Sequence, residues 1–507
     1  MIKTLIYNLP PLERTRPPLS GAILASVCKK EGHDCYVVDL QLNLDKFLKQ
    51  QNIDEEYFSN VFFEHTLSFS VEQLNLLNTF IAKELESVAE QNYDYILVSL
   101  FSYLAWPFGE LFLPQLRKVT HAKIVIGGAG ASTKTSPLRP RPELAEDFKR
   151  NLIIDDFIVG EAEEILPIYF CDGHGPGISN QNFKQIDNLD AQPWPNYSYY
   201  DLTNYHTTNP KQGELVVIGS RGCVRHCTFC DVEVTSPKYR YRSGKDIANE
   251  IIHHYEVHGI TNYYFADSLV NGSFKAFNEM CNGLANYNFA EPIKWSGQYI
   301  IRSKNTTPKN HFEMLKASGC KILFIGIESG CDRMRFEMGK KFTNDDIEYY
   351  LENFERYEIE TLFLFFTGYI SETEEDHAET LTMFKRWQRY VATGTIQGIE
   401  TLNVLSVLPG APLEKIAVEN NFVFLQDHNG QLNLRSWMNP NNPGFDFKER
   451  VKRHISMMEE AMQYKWPLWN GQLAMRLYEQ SIEKFVNTPN IYVPLVKRNI
   501  IPLVQTK

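Results

Sequence analysis

Ser220-Arg221-Gly222-Cys223-Val224-Arg225-His226-Cys227-Thr228-Phe229-Cys230 runs directly out of an apolar stretch at residues 215–220, which makes the cysteine loop the end of a strand. Five more strand-like runs follow, at 262–267, 293–300, 322–328, 361–369 and 398–408. Helical patterns at 245–258, 273–287, 310–318, 344–358 and 374–391 separate them. Six strand-helix units at a spacing of about thirty residues predict a (β/α) barrel, two units short of the closed eight-stranded form. An open, six-stranded barrel is the simplest fit. It puts the cysteines at the carboxyl-end mouth, where barrel enzymes keep their chemistry.

Upstream, residues 1–170 alternate apolar runs at 2–8, 35–40, 95–100, 123–128 and 156–160 with helical patterns such as 21–31 and 71–90. Continuous apolar strands separated by helices imply a parallel sheet covered on both faces, a doubly wound domain. Ligands of such sheets sit beyond the carboxyl ends of the strands. This sequence places Leu9-Pro10-Pro11, residues 99–102, Gly127-Gly128-Ala129-Gly130 and Gly160-Glu161 there. Residues 171–212, rich in Asn, Gly, Pro and Tyr, read as a linker wrapped on the surface. Beyond the barrel at 213–420, amphipathic segments at 448–464 and 472–486 predict a helical C-terminal unit over 421–507. The fold class expected is therefore α/β throughout the first two domains, with helices at the end.

Composition narrows the function. A net charge of −11 argues against a nucleic-acid substrate, because affinity for the phosphate backbone needs clustered Lys and Arg. The opening MIKTLIYNLPP has an apolar run shorter than a signal h-region, and no stretch approaches the ~18 apolar residues of a membrane span, so a soluble cytoplasmic protein is expected. The nine cysteines, at 28, 35, 171, 223, 227, 230, 281, 320 and 331, do not form a disulfide framework in a reducing cytosol. Six read as ordinary buried thiols, with Cys28, Cys281 and Cys320 in or beside apolar helical patterns. Only Cys223, Cys227 and Cys230 are clustered.

A CxxxCxxC loop is compact enough to aim three thiolates at one iron-sulfur cluster, and a four-iron cluster with three protein ligands keeps one iron open for a small molecule. A structural zinc site would want a fourth Cys or His at matched spacing. His226 is a poor fourth ligand, since it lies inside the loop between two of the cysteines.

On these residues the chain resembles the radical S-adenosylmethionine (SAM) superfamily, and the likeness extends across residues 1–410. Phe229, just before the third cysteine, matches the family position whose backbone lies near adenine. Tyr264-Phe265-Ala266-Asp267 is similar to the segment that meets the methionine amino group. Ile325-Gly326-Ile327-Glu328-Ser329-Gly330 resembles the fourth-strand motif that reaches the ribose and the methionine part. Residues 367–376, with Gly368, resemble the fifth-strand turn, with Ile370-Ser371 where the family has Pro-Gly. Leu408-Pro409-Gly410 matches the sixth-strand end. The resemblance implies a 4Fe-4S cluster on Cys223, Cys227 and Cys230, and SAM contacts from Phe229, Asp267, Glu328, Ser329, Gly368 and Pro409. It also implies reductive cleavage of SAM to a 5′-deoxyadenosyl radical, with an electron donor such as flavodoxin or ferredoxin. Taken singly, Glu328 also reads as a strand-end ion-pair partner and Asp267 as a helix cap.

Residues 1–170 resemble the cobalamin-binding domain that precedes the barrel in one branch of this superfamily. The likeness rests on Pro17-Pro18-Leu19-Ser20-Gly21, Gly32-His33 before a strand ending in Asp39, Gly127-Gly128, and Val159-Gly160-Glu161-Ala162-Glu163. It implies cobalamin near Pro10, Ser99, Ser102, Gly127, Gly128, Gly160 and Glu161. The string Asp172-Gly173-His174-Gly175-Pro176-Gly177 matches a DxHxxG cobalt-ligand signature, but it follows the fifth strand, whereas the signature belongs after the first. Residues 8–13, at the expected place, hold no histidine, so His174 reads as a loop residue. The function implied is cobalamin-dependent methyl transfer to a small molecule or peptide. A radical cyclisation or rearrangement, with or without cobalamin, is the alternative. A methylthiotransferase would want three further cluster cysteines in the N-terminal domain and a β-domain after the barrel. An iron-sulfur scaffold would need the cysteines but not the surroundings of Glu328 and Gly368. Trp437, Trp466 and Trp469 are candidates for a substrate pocket, although aromatic residues at helical spacing are more often core.

Overall fold

The computed structural model describes residues 1–58, 69–131, 144–173, 185–205, 213–400, 404–425, 432–469, 471 and 492–494. The chain divides into two compact units whose main boundary falls between Val216 and Val217, with residues 257–262 counted to the first.

The first unit is a five-stranded sheet of β1 (Lys3–Asn8), β2 (Asp34–Asp39), β3 (Tyr95–Ser99), β4 (Lys123–Gly127) and β5 (Asp156–Phe157). The order is β2-β1-β3-β4-β5 and every pair is parallel. Strand side chains point alternately to opposite faces, so each strand feeds two cores. Leu5, Tyr7, Ile96, Val98, Ile124 and Ile126 enter one, and Ile6, Tyr95, Leu97 and Val125 enter the other. This explains the unbroken apolar runs in the sequence, and it is the doubly wound sheet expected. Residues 185–205 are pinned to the unit. Tyr200 Oη donates to Pro18 O at 2.9 Å, Asn196 N to Ala22 O at 3.0 Å and Tyr205 Oη to Asp39 Oδ2 at 2.9 Å, with Tyr197 and Tyr205 buried.

β6 (Glu214–Val217) straddles the boundary, and after it come the short antiparallel pair β7 (Ser220–Arg221) and β8 (Arg240–Tyr241), then β9 (Asn262–Phe265), which begins at the last residue counted to the first unit, β10 (Lys294–Tyr299), β11 (Cys320–Glu328), β12 (Glu360–Phe365) and β13 (Ile396–Glu400). Helices Gly244–His258, Phe274–Asn286, His311–Ala317, Asn344–Arg356 and Glu374–Arg386 alternate with these strands, as the sequence pattern predicts. After β14 (Val423–Leu425) and the helix Phe447–Gln463, β15 (Leu468–Trp469) joins the sheet beside β13, so the order is β15-β13-β12-β11-β10-β9-β6. The six expected barrel strands are all present. The seventh is a two-residue addition from the C-terminal region, too short to carry a periodic signal. β16 (Tyr492–Pro494) pairs antiparallel with β14.

Trp437 and Trp466 are buried core residues, whereas Trp469 is exposed. Cys28, Cys35, Cys281, Cys320 and Cys331 are buried as expected; Cys171 corrects that reading, because it is exposed at the end of the helix Leu166–Asp172. The expected helix at 472–486 and His174 lie outside the described residues. Among the described residues, no helix is long and apolar enough to cross a membrane.

Candidate active site

The cysteine loop leaves β6 through a turn held by Asp267, which stands just past β9 and is 3% exposed. Its carboxylate accepts from Gly219 N at 2.9 Å and from Ser220 Oγ. Burial pushes the Asp267 carboxyl up to about 6 against the pull of those donors. Gly222 then passes under residues 236–238 with φ of +82°, where a Cβ would lie 2.8 Å from Lys238 O. Only glycine tolerates both demands.

Three later segments staple the loop. Thr228 N donates to Met338 O at 3.2 Å, Leu413 N donates to Thr228 O at 2.8 Å, and the Thr228 and Tyr369 hydroxyls meet at 2.8 Å. These contacts bring the chain after β11, β12 and β13 to the end of β6. Cys227 is buried, and Cys223 and Cys230 are half-buried. Burial pushes the Cys227 thiol up and the Cys230 thiol up to about 11, and the neighbouring thiols add repulsion, while Lys340 pulls Cys227 the other way. Cys227 and Cys230, whose thiols burial and a neighbouring thiol both hold protonated, suit a cationic cluster core, which favours the thiolate form. Among the described residues, no three His, Cys, Asp or Glu side chains close on a single metal ion. A four-iron cluster asks instead for one thiolate per iron. His226 is exposed and pairs with Glu233 rather than turning in towards the thiols.

At the end of β11 the register shifts between Gly326 and Glu328, and Glu328 takes φ of +62°. Its carboxylate, in a residue 9% exposed, accepts from Lys340 Nζ at 2.9 Å. Lys340 also donates to Gly326 O at 3.1 Å and lies 5.7 Å from the centre of the Phe229 ring. Phe229 packs edge-on against Phe366 at 4.8 Å. Ser329 is buried, and its hydroxyl meets Thr380 Oγ1 at 2.9 Å and accepts from Cys331 N. Gly368, with φ of +84°, leaves room for the Arg450 side chain, whose Cδ would lie 2.6 Å from an added Cβ. Pro409 is half-buried in the segment that reaches Thr228 through Leu413. Of the residues expected around SAM, Phe229, Glu328 and Pro409 thus gather at the cysteine loop. Asp267 and Ser329 bond to protein partners. Sequence reasoning missed Lys340 and Tyr369.

In the first unit the expected cofactor residues stand at the carboxyl ends of β1, β3, β4 and β5. Leu9 N donates to Ser99 O at 3.1 Å, which places Pro10 beside the end of β3. Ser99 Oγ meets Ser20 Oγ at 3.0 Å, Ser20 in turn donates to Asn8 Oδ1, and Ser102 Oγ accepts from Leu104 N. Gly160 has φ of +105°, and Glu161 accepts from Ile186 N at 2.6 Å. Gly127 is open, with nothing closer than 3.8 Å to an added Cβ, whereas one at Gly128 would meet Leu100 O at 2.3 Å. The ends of β1, β3 and β4 carry Asn8, Ser99 and Gly127, uncharged and small, which fits a large, flat cofactor there.

Over 240 residues the chain is 26% identical to an uncharacterised methyltransferase of Pyrococcus horikoshii, an alignment covering 47% of this chain and 49% of that protein. The chain thus spans about half the length of that curated relative. Its fold matches that of TsrM of Kitasatospora setae, a radical SAM methyltransferase with cobalamin and a [4Fe-4S] cluster bound, over 90% of this chain and 91% of TsrM at a TM-score of 0.61 and 14% identity. It matches OxsB, a cobalamin-dependent radical SAM enzyme with aqua-cobalamin bound, over 90% of this chain and 67% of OxsB at a TM-score of 0.62 and 17% identity. At these identities the likeness is one of fold. Residues 217–384, from the strand that carries the cysteine loop through the helix after β12, match the model of the Radical SAM superfamily.

Proposed function

We propose that the chain is a cobalamin-dependent radical SAM methyltransferase acting on a small molecule or peptide. The observation that supports it best is the pairing of a β2-β1-β3-β4-β5 doubly wound sheet with a barrel whose first strand ends in the cysteine loop, a fold shared with TsrM over 90% of the chain. When bound, the 4Fe-4S cluster and SAM supply one-electron cleavage chemistry and cobalamin supplies a methyl carrier. The chain's own share is positioning. Cys223, Cys227 and Cys230 would hold the cluster on a loop stapled at Thr228. Lys340 offsets negative charge beside Cys227 and steadies Glu328. Burial of Cys227 keeps water from that side of the loop. A flavodoxin or ferredoxin would deliver the electron.

The test is anaerobic reconstitution with iron, sulfide and hydroxocobalamin, then incubation with methyl-deuterated SAM and small-molecule and peptide extracts. The expected result is label in a product only when cobalamin is present. Formation of 5′-deoxyadenosine with no label leaving SAM would replace methyl transfer by a radical cyclisation or rearrangement.

A further inference from the structure

In a sheet of order β2-β1-β3-β4-β5 the winding reverses between β1 and β3, and a crevice for a flat cofactor opens there at the carboxyl ends. The loop leaving β3 at this point carries Phe101, 66% exposed, and Tyr103, 43% exposed. A single exposed aromatic is ordinary. The frame beneath these two is not. Leu100 N donates to Gly127 O at 2.8 Å, Gly130 N to Leu100 O at 3.1 Å, and Trp106 Nε1 to Gly130 O at 2.8 Å. Ser102 Oγ accepts from Leu104 N at 3.2 Å. Glycine makes the frame possible, since a Cβ would lie 2.3 Å from Leu100 O at Gly128 and 2.5 Å from Ser102 O at Gly130. Two of the glycines in the Gly127-to-Gly130 turn therefore admit this loop, and the loop lifts two rings clear of the core. Ordering a mobile aromatic loop costs entropy on binding; a loop already framed avoids that cost.

We propose that Phe101 and Tyr103 form an aromatic platform for the flat face of the corrin ring. The inference rests on the cobalamin reading and goes beyond it by naming the groups that give the affinity. The strand-end residues beneath, Asn8 and Ser99, are uncharged and engaged with Ser20, so the crevice floor suits a neutral, largely apolar face.

Hydroxocobalamin is titrated into the full chain and into Phe101→Ala, Tyr103→Ala and Phe101→Trp variants. Val71→Ala, at a 76% exposed position on a helix of the same unit, is the control. Phe101→Ala should weaken binding about tenfold or more, ~1.4 kcal/mol, and Tyr103→Ala by less. Phe101→Trp and Val71→Ala should bind as wild type, and the thermal midpoints of the Phe101 and Val71 variants should not move, because those two side chains are mostly solvent-exposed. Equal binding by wild type and both alanine variants overturns the platform and leaves the cobalamin reading standing. No binding by wild type removes both. Flavin mononucleotide bound in place of hydroxocobalamin, and lost in Phe101→Ala, overturns the occupant.

Discussion

Lys340 Nζ donates to Glu328 Oε1 at 2.9 Å, and the two side chains are only 13% and 11% exposed. The bond ties the turn after the helix Asp332–Glu337 back to the end of β11. Glu328 has φ of +62°, a conformation that costs a non-glycine residue about 1 kcal/mol or more and persists only where its surroundings enforce it. Lys340 is part of that enforcement, since it also grips Gly326 O across the register shift.

Removing the Lys340 charge leaves a buried carboxylate without a counter-ion, which costs about 3 kcal/mol or more. Lys340→Met should therefore destabilise the cluster-free chain by that order in urea unfolding, and Lys340→Arg by much less. A Met variant within about 0.5 kcal/mol of wild type would show that Glu328 takes its place without help from the lysine.

Cys223→Ala, Cys227→Ala and Cys230→Ala should each abolish the cluster, because three ligands leave no redundancy. Cys28→Ala and Cys320→Ala remove buried thiols far from the loop in sequence and should keep it. Iron and sulfide analysis of each purified variant decides the matter. Full occupancy in Cys227→Ala would sink the ligand assignment.

The strand ends were legible in sequence because each barrel strand is followed by an amphipathic helix, and a parallel sheet aligns all its carboxyl ends on one face. Cys223 follows on that basis, and the resemblance to the superfamily picks out Glu328 and Pro409 on the same face. Lys340 could not. Its role depends on Gly339, with φ of +89°, folding the chain so that an added Cβ there would lie 3.1 Å from His226 O, a contact between residues remote in sequence. Nothing in the periodicity of 332–341 marks a buried lysine. The seventh strand was hidden for a different reason: Leu468 and Trp469 pair with Ile399 and Glu400 over two residues, too few for any alternation to show.

Gly127 and Gly128 adjoin in sequence and should respond differently to alanine. At Gly128 the Cβ meets Leu100 O at 2.3 Å and φ is +98°, so Gly128→Ala should lower the thermal midpoint of the cofactor-free chain. At Gly127 nothing lies within 3.8 Å, so Gly127→Ala should fold as wild type. A larger residue at Gly127, such as Gly127→Leu, should then weaken hydroxocobalamin binding without a stability change. Unaltered binding in that variant would move the cofactor away from the β4 end.

Glu372 is 8% exposed, with Arg453 Nη1 at 3.4 Å. Burial outweighs the arginine and pushes its carboxyl up to about 7 from the ordinary 4.5. The folded chain then holds a proton that the unfolded chain has released. The stabilising contribution is complete below pH 4.5 and is lost as pH rises through 7. Asp39 and Asp267, each pushed up to about 6 by burial, add to the same slope. Stability of the cluster-free chain should fall between pH 5 and pH 8, on the order of the window set by these groups. Glu372→Gln should flatten that fall, and an identical slope in the variant would show that Arg453 keeps Glu372 ionised in the fold.

Asp267 separates a ligand role from a structural one. Resemblance to the family assigns its segment to the methionine amino group, whereas in the structure each carboxylate oxygen accepts a bond from the turn that leads to Cys223. Asp267→Ala would leave Gly219 N and the Ser220 hydroxyl buried without that acceptor, a loss of about 2 kcal/mol or more. Asp267→Asn keeps one acceptor and turns a donor towards another donor, so it should fall between alanine and wild type. The informative measurement is made before any cofactor is added, as the urea midpoint of the cluster-free chain. A structural role lowers that midpoint in both variants, and cluster content then falls because the cysteine loop loses its anchor. A ligand role leaves the midpoint and the iron content unchanged while SAM binding to the reconstituted protein weakens. The geometry predicts the first pattern, and the second would return Asp267 to the SAM site.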